Sequence, residues 1–168
     1  MKRLLPLIFL LIFLFGCGAS HVNTGSAPIT AEDVEVETLR ENVKVDGPML
    51  PGFTKVYNFA AGGEDMLRTN EVWKDEQGRT LIFDYILYDN EQNAENSFTL
   101  TKSKLTFPKK SLSIGEAGWE ARQGDRTKIC FLRSRAMVII SFPDRETLLS
   151  VADKTCEKID GAAKRGEL

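Results

Sequence analysis

The chain has 168 residues, with 22 Lys and Arg against 24 Asp and Glu and a formal net charge of −2. That balance leaves no basic footprint for nucleic acid. The one histidine, His21, lies in a polar N-terminal stretch four residues beyond Cys17, badly placed as the base of a Ser-His-Asp or Cys-His site. No cluster of Cys, His and carboxylates suits zinc. The length suits a single compact domain with a core of its own. At the N-terminus Lys2 and Arg3 precede an apolar run over residues 4–15, closed by Leu14-Phe15-Gly16-Cys17. A positive start and a short apolar core have the form of a secretory signal, here ending on cysteine rather than on an Ala-x-Ala site. About a dozen apolar residues fall short of the roughly 20 that span a bilayer. An ordinary signal peptide and an uncleaved anchor are the alternatives.

The closing tetrapeptide resembles the lipobox of bacterial lipoproteins. Leu14 is the large aliphatic residue three places upstream and Gly16 the small one beside the cysteine, while Phe15 departs from the small or β-branched residue usual in its slot. The resemblance implies that residues 1–16 are removed and that Cys17 is diacylated and begins the mature chain. Several acyl chains anchor stably where one does not, so the expected location is the cell envelope, outside the cytoplasm. Position 18 is Gly rather than the Asp that can retain lipoproteins at an inner membrane. The same resemblance therefore implies the outer membrane where there are two, and the plasma membrane where there is one.

Residues 17–47 are polar, with Ser, Thr, Asn, Gly and Pro first and acids after, and read as a flexible tether. Within it, residues 31–42 suit a short helix behind Thr30, or a strand around Val34-Glu35-Val36. The domain proper is expected over 48–160. Leu50-Pro51-Gly52-Phe53 is a turn. Strands are predicted over 54–59, 70–74 and 79–88, the last with Leu81, Phe83, Tyr85 and Leu87 on one face. A helix over 90–105 follows, capped by Asp89 or Asn90, with Ala94, Phe98, Thr101 and Leu105 on one stripe. Strands at 119–122, 127–133 and 136–142 form an antiparallel meander, the last two apolar on both sides and so central. Asp144 caps a final helix to about residue 160, with Leu148, Leu149, Ala152, Cys156 and Ile159 inward. Residues 161–168 read as a frayed tail. The fold class is α+β: an antiparallel sheet of about five to six strands with two helices on one face, in an order compatible with two β-β-β-α halves.

With Cys17 assigned to lipid, Cys130 and Cys156 remain. An oxidising compartment favours a bond between them. It would close a loop of about 25 residues and contribute about 3 kcal/mol in the chain-entropy model. Two buried free thiols are the alternative. Five carboxylates, Glu64, Asp65, Glu116, Glu120 and Asp125, would have to converge in a pocket for acid–base or calcium chemistry, and turn acids are usually solvated. Lys102, Lys104, Lys109 and Lys110 surround Phe107 and Pro108 as a patch for anionic headgroups or an acidic partner, or as a solvated helix end. Trp73 and Trp119 suit sheet core. Ala60-Ala61-Gly62-Gly63 lacks the Gly-Lys-Ser/Thr ending of a phosphate loop.

Leu50-Pro51-Gly52-Phe53, Tyr88-Asp89 before Ala94, Ile114-Gly115-Glu116-Ala117-Gly118, and Phe131-Leu132-Arg133 before Val138-Ile139-Ile140 together resemble exported bacterial lipoprotein domains of unknown function. That likeness spans residues 50–159 and implies architecture and location, with no catalytic residue to carry over. The expectation is a lipid-anchored, non-enzymatic envelope domain with no cofactor and no metal. Its partners would be the membrane, through the anchor, and an envelope protein or small apolar ligand. An envelope enzyme using carboxylates and an assembly subunit with a large exposed apolar patch are the rivals.

Overall fold

The computed structural model describes residues 45–63 and 65–168. Seven strands form one antiparallel sheet: β1 (Phe53–Gly62), β2 (Met66–Asp75), β3 (Thr80–Tyr88), β4 (Lys109–Leu112), β5 (Ala117–Gln123), β6 (Arg126–Arg133) and β7 (Ala136–Phe142). Helix α1 (Glu91–Lys104) follows β3, and α2 (Arg145–Lys164) follows β7. The strand order is β1-β2-β3-β7-β6-β5-β4, so the two meanders meet where β3 lies against β7. The fold is α+β, as the sequence pattern implies. Its second meander has four strands rather than three, because Lys109–Leu112 forms a short edge strand with a weak apolar period.

Turn chemistry sets these pairings. Asp75 Oδ1 accepts from the backbone N–H groups of Gln77 (3.0 Å) and Arg79 (2.8 Å), and Gly78 takes φ +76° to close the β2–β3 turn. Asn90 caps α1 by accepting from Asn93 N at 2.9 Å, and Asp144 caps α2 by accepting from Thr147 N at 2.8 Å. Asp89 adds a second tie by accepting from Asn93 Nδ2 at 2.8 Å.

The helices lie on opposite faces of the sheet, which corrects the one-face expectation. One core joins Leu81, Phe83 and Tyr85 of β3, Ile129 and Phe131 of β6, and Val138 and Ile140 of β7 to Leu148, Val151, Ala152 and Ile159 of α2. The other joins Ile86, Cys130, Leu132 and Met137, from the alternate positions of the same strands, to Ala94 and Phe98 of α1. Adjacent strand residues point to opposite faces, so β6 and β7 carry apolar residues on both sides because each is covered twice, as is β3 at its Ile86–Tyr88 end.

Two boundaries shift. Val45 is buried with Met49 and Leu50 in the α2-side core, so the folded domain begins by residue 45. Helix α2 runs to Lys164 and Leu168 packs against the same core, so the C-terminal segment is built into the fold rather than frayed. Among the described residues no helix is long and apolar enough to cross a membrane. The signal, Cys17, His21 and nearly all of the tether lie outside the described residues.

Candidate functional site

Cys130 and Cys156 are free thiols, and the fold keeps them apart. Cys130 faces α1 beneath the sheet, whereas Cys156 sits on α2 on the other side. The expected disulfide is therefore corrected: a bond would have to pass through the sheet. Burial pushes the Cys130 thiol up to about 12 and the Cys156 thiol up to about 11, where neither is a nucleophile at neutral pH.

The carboxylates do not converge. Glu120 pairs with Arg145 of α2 (2.7 Å), and Glu116 accepts from the Ser134 N–H (3.0 Å), holding that residue at φ +51° in the β6–β7 turn. Asp125 sits in the β5–β6 turn and Asp65 between β1 and β2, both exposed; Glu64 lies outside the described residues. Among the described residues no group of three or more His, Cys, Asp and Glu side chains is placed to hold a metal. A shallow groove of about 480 Å³ between residues 46–49 and α2 contains none of these acids, and its Asp46 and Lys158 pair with each other at 3.1 Å.

The Ile-Gly-Glu segment is structural. Ile114 is buried, and a Cβ on Gly115 (φ +62°) would stand 2.2 Å from the Leu132 carbonyl oxygen. Glu116 N donates to that same oxygen at 2.8 Å. Only glycine lets this turn dock so closely on β6. Of the lysine patch, Lys109 donates to the Lys102 and Leu105 carbonyls (3.0 and 2.6 Å) and closes the end of α1. Trp73 and Trp119 are both core. Trp73 donates to Glu71 (3.0 Å) under Lys55, whose Nζ lies 4.7 Å from the ring centroid. The Trp119 Nε1 is buried beneath α1 without a partner.

What remains is a sheet face. Helix α1 packs over β3, β7 and β6 and leaves the same face of β1 and β2 open. Register lines up three rows there: Tyr57–Val72–Ile82, Phe59–Asn70–Asp84 and Ala61–Arg68–Ile86, with Met66 opposite Tyr88. Tyr57 is 52% exposed, Phe59 47%, Met66 43% and Ile82 37%. Leu100, 53% exposed, extends this surface onto α1. It lies one turn beyond Ser97, which stands close to the Tyr88 hydroxyl and so marks the helix flank turned towards β3.

One ion pair stands in the middle of this face. Arg68 Nε donates to Asp84 Oδ1 at 2.8 Å and its Nη2 to Oδ2, the two-pronged arrangement that binds a carboxylate most firmly. The Asp84 hydrogen bonds raise the Arg68 pKa, and the opposite charges of this ion pair make it neutral as a unit. The reverse face of β1 and β2 is filled by contrast. Phe53 meets Phe142 edge-on at 5.3 Å, and Val45, Met49 and Leu50 pack into the same core.

Sequence reasoning passed over Tyr57 and Phe59. Their i, i+2 spacing was available, but the register shift at Val56 breaks the alternation of β1 and hides which residues share a face.

No family model matches this chain, and no curated protein matches it. Its likeness is to a solved structure. The crystal structure of a GTP binding regulator from Thermotoga maritima covers 73% of this chain and 87% of its own, with a TM-score of 0.50 and 11% sequence identity. At that identity the likeness is one of fold alone.

Proposed function

We propose that this protein is a lipid-anchored, extracytoplasmic binding domain without enzymatic activity, held in the cell envelope through Cys17 and engaging its partner through the open face of β1–β3. What supports the anchor is the N-terminal pattern: Lys2 and Arg3, the short apolar run, and Leu14-Phe15-Gly16-Cys17. What supports binding is the single observation of Tyr57, Phe59, Met66, Ile82 and Leu100 gathered on one face and exposed to water. Apolar surface left together in this way marks an interaction site in soluble domains. With Gly18 after the cysteine, the outer membrane is the favoured site in a two-membrane envelope. The open face also suits the assembly-subunit reading, whose requirement is such a patch.

Two other readings fare worse. The carboxylate enzyme loses its pocket, since Glu120 is tied to Arg145 and Glu116 to Ser134. The nucleotide binding in the name of the structural neighbour stays with that protein. The Ala60-Ala61-Gly62 stretch here ends β1 and is paired with β2, leaving no phosphate-cradling loop there.

The anchor is tested by the intact mass of the membrane-extracted chain. A species starting at Cys17 and carrying acyl chains is expected, with no change on reduction because both remaining thiols are free. An unlipidated mass would overturn the anchor.

A further inference from the structure

The open face has a shape as well as a chemistry. Helix α1 stands on the sheet as a ridge, and beside it the β1–β2 half is a shelf about one helix diameter deep. The outermost stripe of that ridge is Gln92, Asn96, Thr99 and Ser103, all exposed and none charged. A helix whose outer side faces only water usually carries its charges there. Three of the four charges of α1 lie instead along its far flank, while Lys104, at its C-terminal end, falls one turn beyond Leu100 on the shelf side. Glu91 reaches Ser134 of the β6–β7 turn, and Glu95 and Lys102 follow it at helical spacing. On the shelf, the Arg68–Asp84 pair is neutral as a unit, and the cations Lys74 and Lys104 stand at the margins.

From these observations we infer that the occupant of the open face is a second copy of this chain. The two copies would meet face to face about a two-fold axis, the α1 ridge of each lying on the β1–β2 shelf of the other. Ridge and shelf on one surface are self-complementary, as an isologous interface requires. The two helices would then share one layer between two sheets, with the uncharged stripe over Tyr57, Phe59 and Val72, and Leu100 beside its mate. The area is sufficient. Five apolar side chains, two of them aromatic, expose on the order of several hundred Å². The outer side of α1 brings the contact towards the roughly 800 Å² per partner of a stable interface.

This inference rests on the reading of the open face as a binding surface, and the experiment separates the two. A photo-crosslinking phenylalanine analogue replaces Phe59 in the full chain, which is then irradiated in intact envelopes. The expected product has about twice the mass of the chain, with peptides of this protein on both sides, one of them from α1. Crosslinks to a different protein alone would overturn the second copy while keeping the face as a binding surface; no crosslink would overturn both. As an independent check, Leu100→Cys should form an oxidant-dependent disulfide dimer that the parent chain, with Cys130 buried and Cys156 half-buried, should not. Adding Phe59→Glu should weaken that dimer about thirtyfold, the scale of a central interface anchor. An unchanged yield of the disulfide dimer in Phe59→Glu would also overturn the proposal.

Discussion

The two ends of the sheet are built from similar strands and treated differently. Around β6 and β7, Phe131, Ile129, Val138 and Ile140 are sealed under α2, while Cys130, Leu132 and Met137 are sealed under α1. Around β1 and β2 only one face is sealed, and Tyr57 and Phe59 stand open on the other. Geometry explains the contrast. Seven strands spaced about 4.8 Å apart make a sheet some 30 Å wide, whereas a helix covers about 10 Å. One helix per face cannot cover such a sheet. On the α2 side, residues 45–50 extend the cover over β2 and β3; on the α1 side no described segment does. An uncovered apolar half-face is the price of that topology unless something else binds there.

The sharpest way to break the comparison is to truncate the same residue type in both halves. Phe131→Ala should cost about 3–5 kcal/mol in chemical denaturation, the range for emptying a buried aromatic site. Phe59→Ala in the monomeric chain should stay within about 0.5 kcal/mol, as surface substitutions do. Equal losses would mean that the β1–β2 half is as closed as the rest.

Glycine turns sharpen it further. Gly115→Ala forces a Cβ into the Leu132 carbonyl at a positive φ, so a loss above about 2 kcal/mol is expected. Gly78, at the β2–β3 turn, has the same kind of φ and no atom within 4 Å of the added carbon. Gly78→Ala should cost only the conformational term of about 1–2 kcal/mol.

Helix caps give a smaller contrast. Asp144→Ala should lower global stability by about 1 kcal/mol, because α2 buries six residues, four of them in the main core. Asn90→Ala should instead speed amide exchange within α1, which buries only Ala94 and Phe98.

The smallest expected effect is on pH dependence. The Arg133 guanidinium holds the Asp160 carboxyl below the usual carboxylate range, and bonds from Thr147 do the same for Asp144. A lowered folded pKa means stability that is complete above the unfolded value of about 3.9 and lost as pH falls through the folded one. The melting temperature should therefore drop below about pH 4, and Arg133→Ala should make that drop shallower.

Much of this fold is legible in the sequence. The two-sided apolar runs at residues 129–132 and 137–140 mark central strands, the 3.6-residue stripes mark both helices, and Asp144 caps where its position says it should. Other features are not local. A helical stripe shows which side of the helix is buried but not which face of the sheet buries it. Since β6 is apolar at both parities, nothing along the strand tells that Cys130 faces away from α2. Strand β4 escapes notice because lysines at 109 and 110 protect a short edge, which also removes its apolar period. The candidate face is hardest to read, because Tyr57 and Phe59 follow a bulge and their neighbours Val72, Ile82 and Leu100 come from three other elements.

The claim that this face is occupied in the envelope is tested most directly by hydroxyl-radical footprinting of the methionines. Met66 is 43% exposed on the open face, while Met137 is 2% exposed beneath α1 and serves as the internal control. Met66 should be oxidised readily in the dilute, purified full chain and several-fold more slowly in intact envelopes, with Met137 slow in both. Equal oxidation of Met66 in the two settings would contradict occupation of the face.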